Sequence, residues 1–282
     1  MPVAASGAIQ VTLCRVALAF VCLGGIVVLR GGRHALTDQL RTQWRGIIVL
    51  GLLNFATSQI LAMTALNFLP ASINGVLNNT HPLWVAIGTA LLYPSRRPVL
   101  LVVGSLVALV GVVLVFLPDL ILGGATGVST LNPVGVGLSL TGSGVIALGT
   151  IVGRRVMLRG DPLVVTALAS GVAVIPIGAL TLADGGIGPI LDAPLMIKLL
   201  LLYVGVGCTA INFALWYYGL KYLPAAAAAA FQYLGPPFGV ALAAVFLAEP
   251  LTAGLLLGTP CVLIGLIATQ VASRRAGKEP AI

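Results

Sequence analysis

Polar residues are scarce in this chain, so the few that recur at helical spacing carry the chemical argument. Asn74, Asn78 and His81 fall at i, i+4 and i+7, which is one face of an α-helix, and Trp84 extends the stripe. In a second apolar run, Gln232 and Tyr233 precede Gly235-Pro236-Pro237. Asn54 and Ser58 share a helical face in a third run, and Asn212 and Trp216 share one in a fourth. Amides, a hydroxyl, an imidazole and aromatic rings can hydrogen-bond and stack on an amphipathic or zwitterionic solute. They read as the walls of one substrate cavity. The structural alternative is interhelical hydrogen bonding, about 0.6 kcal/mol per bond in a membrane. Arg15 is the one cation well inside an apolar run. It either attracts an anionic group such as a carboxylate, or snorkels and pairs with backbone carbonyls. For Trp216, stacking on a flat substrate competes with interface anchoring beside Tyr217, Tyr218 and Tyr222.

Covalent catalysis is not what these residues suggest. The two histidines are His34, in a basic loop, and His81, and neither has a matched Asp, Glu or Cys. The four cysteines, Cys14, Cys22, Cys208 and Cys261, all sit in apolar stretches with no C-x-x-C. No metal, no cofactor and no catalytic residue is expected, and the reading is of a protein that is not an enzyme. There is no Walker A motif, which argues against ATP as the drive.

The elements that must position these residues follow from composition. Of 282 residues, 59% are apolar and only 8% are charged, against about 25% charged in a soluble domain. A polytopic membrane protein remains. Nine apolar stretches have the roughly 20 residues a spanning helix needs: 9–29, 46–66, 71–93, 99–117, 133–153, 163–183, 195–219, 225–247 and 251–272. Barrel strands are half that length and alternate, so the fold class is an all-α membrane protein with nine predicted transmembrane helices.

The charges give the orientation. Thirteen of the fifteen Lys and Arg fall on alternate joints: the loop 30–45, Arg96 and Arg97, Arg154 to Arg159, Lys221, and the tail from Arg274. The positive-inside rule puts these joints, and the C-terminus, in the cytoplasm. The net charge of +8 is thus spent on topology, and no nucleic-acid partner is needed to explain it.

The chain repeats itself with a shift of 154 residues: Leu66 to Ala71 reads LNFLPA, and Leu220 to Ala225 reads LKYLPA. Pro82 falls on Pro236, Gly104 on Gly258 and Gly111 on Gly265. Asn78 falls on Gln232, His81 on Gly235, and Ser58 on Asn212. By charge, the joint at Pro70 is external and its partner at Pro224 internal, so the halves are inverted. An inverted repeat needs an odd number of helices per half. The second half shows five and the first four, so the expectation is a ten-helix 5+5 bundle without its first helix. The Gly-x-x-x-Gly pairs Gly149/Gly153 and Gly254/Gly258 read first as packing seams and second as contacts of a homodimer.

Four features, in this order and spacing, resemble the EamA type of the drug/metabolite transporter superfamily. They are the early Arg in Cys14-Arg15-Val16-Ala17, the L-x-x-L-P-A turns, the mid-helix prolines, and Phe246-Leu247-Ala248-Glu249-Pro250 before the last helix. The resemblance covers nearly the whole chain. It implies two inverted halves around a central cavity and movement of small metabolites such as amino acids or drug-like solutes, often outward across the bacterial inner membrane. It divides the chain into a first repeat (1–117), an external linker (118–132), a second repeat (133–273) and a cytoplasmic tail (274–282). The expected partners are a small-molecule solute and the lipid bilayer. One departure is Pro94-Ser95-Arg96, which stands where the second half has Ala248-Glu249-Pro250. The absent first helix keeps open a second reading, a non-transporting subunit or remnant of such a transporter. An intramembrane enzyme is the third and weakest class.

Overall fold

A computed structural model of the protein describes residues 3–93, 97–122, 132–246 and 253–274. The motif residues Pro94 to Arg96, most of the linker, Leu247 to Pro250 and the tail from Arg275 lie outside the described residues. Among the described residues, seven helical stretches are long and apolar enough to span a membrane: Gly7–Leu29, His34–Ala65, Pro98–Val115, Pro133–Arg159, Pro162–Ala183, Leu195–Tyr222 and Gly254–Ser273. The two other expected spans, 71–93 and 225–247, are present but broken. The first is α4 (Ala71–Asn78) followed by α5 (His81–Leu92). The second is α12 (Ala225–Ala230), a 3₁₀ turn (Phe231–Leu234) and α13 (Gly235–Phe246). The nine-span helical membrane fold therefore stands, with the breaks as its new feature.

The chain clusters into two compact units, each drawing on both sequence halves. Unit 1 comprises Met1–Asn67 and Val152–Tyr222; unit 2 comprises Phe68–Ile151 and Leu223–Ile282.

In unit 1, α1 (Val3–Leu29) packs along α8 (Pro162–Ala183). Asp161 starts α8, its Oδ1 accepting from the Leu163 and Val164 amides at 2.8 and 3.2 Å, with Pro162 in the first turn. Gly171 faces the Phe20 ring and Gly178 faces Leu13. Seven residues on along α8 is seven residues back along α1, so the pair is antiparallel. The span 46–66 begins earlier than its apolar run predicts. Residues 33–42, read as loop, form the first turns of α2 (Arg33–Leu50), set off by non-helical dihedrals at Gln43. Arg, Ala, Leu and Gln are good helix formers, so polarity marked the end of the apolar run without ending the helix.

After α2 the helix widens to π geometry over Gly51–Thr57, then resumes as α3 (Ser58–Ala65). The span 195–222 does the same: α10 (Leu195–Tyr203), a π segment over Val204–Ile211, then α11 (Asn212–Tyr222). The two π segments coincide under the 154-residue shift, apart from the single extra residue Val204. Their neighbours coincide as well. A Cβ on Gly51 would lie 2.9 Å from the Val172 Cβ, and one on Gly205 would lie 2.8 Å from the Leu18 Cβ. Positions 18 and 172 are equivalent under the same shift, so one contact occurs twice with the halves exchanged.

The two ends of unit 1 differ in charge. At one end, Arg154 Nη1 donates to the Leu220 carbonyl at 2.7 Å and also to that of Lys221, while Lys221 Nζ donates to the Gly160 carbonyl at 3.1 Å. Cations at carbonyl-rich helix ends suit the helix dipole. At the other end, Gln10 Nε2 donates to the Gly186 carbonyl at 2.7 Å, in a turn that Gly185 and Gly186 make at φ +96° and +79°.

In unit 2, α6 (Pro98–Leu122) lies along α14 (Ala253–Arg274) with the two backbones touching. A Cβ on Gly258 would fall 2.5 Å from the Gly111 carbonyl oxygen, and one on Gly265 would fall 2.5 Å from that of Gly104. So Gly104 meets Gly265 and Gly111 meets Gly258. Parallel helices would pair each glycine with its own repeat partner; the observed exchange requires antiparallel helices, as an inverted repeat demands. Ala108, Val112, Tyr233 and Val262 fill the adjoining core.

Candidate functional site

The break between α4 and α5 has a readable cause. Pro82 has no N–H, so the Asn78 carbonyl one turn earlier loses its helical donor. His81 Nδ1 takes the vacated acceptor at 3.0 Å, and Ser143 Oγ donates to it at 3.4 Å. A carbonyl only accepts, so the ring carries its proton on Nδ1 and leaves the lone pair on Nε2. Asn78 Nδ2 donates back to the Asn74 carbonyl at 3.0 Å and to Asn74 Oδ1 at 3.2 Å. Two serines of α7 (Pro133–Arg159) close the group: Ser139 Oγ donates to Asn74 Oδ1 at 2.8 Å, and Ser143 shares a 2.8 Å hydroxyl bond with Thr80.

Two acceptor atoms in this cluster, Asn78 Oδ1 and His81 Nε2, are buried without a hydrogen-bond partner among the described residues. The Gln232 side chain stands beside the His81 ring. Pro236 and Pro237 break the second span as Pro82 breaks the first, and the 3₁₀ turn Phe231–Leu234 falls where Asn79 and Thr80 interrupt the first. Tyr233 is fully buried, its hydroxyl beside the Leu83 backbone. Unit 2 thus brings Asn78, His81, Gln232 and Tyr233 from two broken helices to one place. Trp84, on the same stripe, is 42% exposed.

Unit 1 holds its own expected residues, and there too an amide oxygen, Asn54 Oδ1, is buried without a partner among the described residues. Asn54 Nδ2 donates to the Tyr217 hydroxyl at 2.7 Å, and Ser58 Oγ donates to the Asn54 carbonyl at 2.8 Å. Both residues are buried, under a stack in which Phe213 lies 4.4 Å from Phe55 and 6.2 Å from Tyr217, centroid to centroid. Tyr217 is fully buried, so the interface-anchor reading fails for it, while Tyr218 and Tyr222 keep the exposure that reading needs. Asn212 is exposed on α11, with half-buried Trp216 one turn on. Arg15 is half-buried, its Nε donating to Thr209 Oγ1 at 3.2 Å.

Sequence reasoning passed over Ser139, Ser143 and Thr209, and read Tyr217 only as an interface anchor. Ser139 and Ser143 sit four apart on one face of α7, and that spacing was the available signal. Nothing local marked Thr209 or Tyr217. Among the described residues, no three His, Cys, Asp or Glu side chains gather as a metal site.

Comparison with known proteins bears on the family and the fold. The model of the EamA-like transporter family matches residues 3–117 and 133–270. An uncharacterized transporter of Archaeoglobus fulgidus is 24% identical over 229 residues, which is 80% of this chain and 78% of that one. A protein of known crystal structure has the same fold, with a TM-score of 0.74 at 19% identity over 96% of this chain and 91% of that one.

Proposed function

We propose, since the chain belongs to the EamA-like transporter family and is thereby a multi-pass membrane transporter, that it is a secondary exporter of small organic solutes. Amino acids and drug-like amphiphiles are the class expected. The repeats 1–117 and 133–273 alternate access without ATP. The tail from Arg274 faces the cytoplasm, and the membrane is the bacterial inner membrane. Interrupted spans at matched positions of two inverted halves are how many secondary transporters present backbone and side-chain polar groups to a solute.

One observation carries the reading: two spans related by the 154-residue shift break at the same register. The break leaves Asn78 Oδ1 and His81 Nε2 buried without a hydrogen-bond partner among the described residues, with the Gln232 side chain beside the His81 ring. Buried acceptors without partners cost free energy, so their retention favours a solute that donates N–H or O–H.

Purified protein in liposomes tests it. Solute loaded inside should leave down its own gradient or against a proton gradient, without ATP, for at least one member of a panel of amino acids and neutral amphiphiles. Flux no faster than in protein-free liposomes across that panel, from protein that elutes as a single folded species, would favour the non-transporting reading.

A further inference from the structure

We propose that Arg15 forms an anion subsite in unit 1, so that the transported solute carries a carboxylate or another planar anion. The inference rests on the transporter reading above and narrows its substrate class.

Arg15 lies on α1, four turns from the basic end of unit 1, and its side chain reaches the second π segment. A guanidinium has five N–H donors in a rigid fork. Among the described residues only Nε is engaged, to Thr209 Oγ1 at 3.2 Å. Thr209 Oγ1 in turn donates to the Val204 carbonyl at 2.9 Å, a bond five residues back that belongs to the π register. The widened turn therefore aims the threonine, and the threonine holds one edge of the fork. The Nη groups have no partner among the described residues. Among the described residues no carboxylate pairs with them, and they are not sealed from the surface, since they are absent from the buried unpaired atoms of the structure.

An arginine kept in a membrane span for packing alone would be expected to use its donors on backbone carbonyls, as Arg154 does with Leu220 and Lys221. Arg15 leaves its bidentate edge open, and that edge matches a carboxylate in geometry and charge. π segments occur often at functional sites, and this one is where the guanidinium is tethered.

The test compares benzoate with benzamide, which share a ring and differ in charge. Binding of each to detergent-purified protein is followed by isothermal titration at fixed ionic strength. We expect benzoate to bind at least about tenfold tighter than benzamide, the preference to vanish in Arg15→Gln, and to survive in part in Arg15→Lys, which keeps the charge without the fork. Thr209→Val, which releases the fork but leaves the cation, should weaken benzoate binding and spare benzamide. Equal binding of the two ligands to the unaltered protein, no detectable benzoate binding, or a benzoate preference that persists in Arg15→Gln would each overturn the subsite. If Arg15→Gln does not fold, the unaltered protein and Thr209→Val decide. Transport of neutral solutes with no preference for acids removes the subsite and leaves the transporter reading intact. Absence of transport for acids and neutrals alike removes that reading instead.

Discussion

Adding one methyl group to the α6–α14 seam should cost far more than adding one elsewhere. At Gly258 a Cβ would stand 2.5 Å from the Gly111 carbonyl oxygen and 2.9 Å from the Val115 amide nitrogen. Ordinary contact needs about 3.4 Å or more, so the two backbones must part by nearly 1 Å along the crossing, with the loss of dispersion contacts that fall off steeply over such a gap. Both obstructing atoms are backbone and cannot rotate away. Overpacking of this kind costs about 1–3 kcal/mol. For a chain of this length, about 2–4 °C of Tm is lost per kcal/mol, so Gly258→Ala should melt roughly 2–12 °C lower. Gly111→Ala opens the same crossing, because its Cβ would lie 2.7 Å from the Gly258 carbonyl oxygen. The double variant should therefore lose less than the sum of the two, since the separation is needed only once. Gly219→Ala is the control: it is a helical position with nothing within 4 Å of an added Cβ. There alanine should be neutral or stabilise by up to about 1 kcal/mol through helix propensity. Thermal unfolding in one detergent, followed by tryptophan fluorescence, reads all four proteins. The reasoning is refuted if Gly258→Ala melts with Gly219→Ala, or if the double variant is strictly additive.

Asn78→Ala and Gln232→Ala should each weaken solute affinity about fivefold, the value of roughly one lost hydrogen bond, while the protein still inserts and elutes as before; unchanged transport in both would remove the unit 2 cluster from the site. Tyr217→Phe should lower thermal stability, by about 1–2 kcal/mol, because buried Asn54 Nδ2 loses its acceptor, and should leave the solute preference untouched. A change of preference at equal stability would show Tyr217 to be a binding residue. A cysteine placed in the tail after Arg274, on a background lacking the four native cysteines, should resist an impermeant thiol reagent in intact cells, whereas one in the 123–131 linker should react. The opposite pattern refutes the proposed orientation.

The membrane class, the nine spans and the repeat were legible in the sequence because they rest on signals that survive without tertiary knowledge. Burial in lipid demands long apolar runs, and a kink or close crossing demands a particular residue type at each copy of the repeat. Pro82 with Pro236, and Gly104 with Gly258, stand 154 residues apart for that reason. The stripe Asn74, Asn78, His81 was equally readable, since helical spacing alone puts those residues on one face.

Which polar residues face a solute was a different matter. Asn54 and Asn78 look alike along the chain, each an amide in an apolar run. Tyr217, 163 residues from Asn54, takes up the first one's donor and the Asn74 carbonyl takes up the second's, while Oδ1 of each is buried without a partner among the described residues. The π segments were also hidden, because widening a helix by one residue depends on what packs against it. Here those neighbours are Val172 against Gly51 and Leu18 against Gly205, each on another helix. The sequence by itself determined what the chain is made for and where its copies lie, since solvent and chain geometry act on every residue locally. Only the tertiary structure decided which donors and acceptors were already spent within the protein, because a hydrogen-bond partner more than a hundred residues away leaves no mark on the residue that needs it.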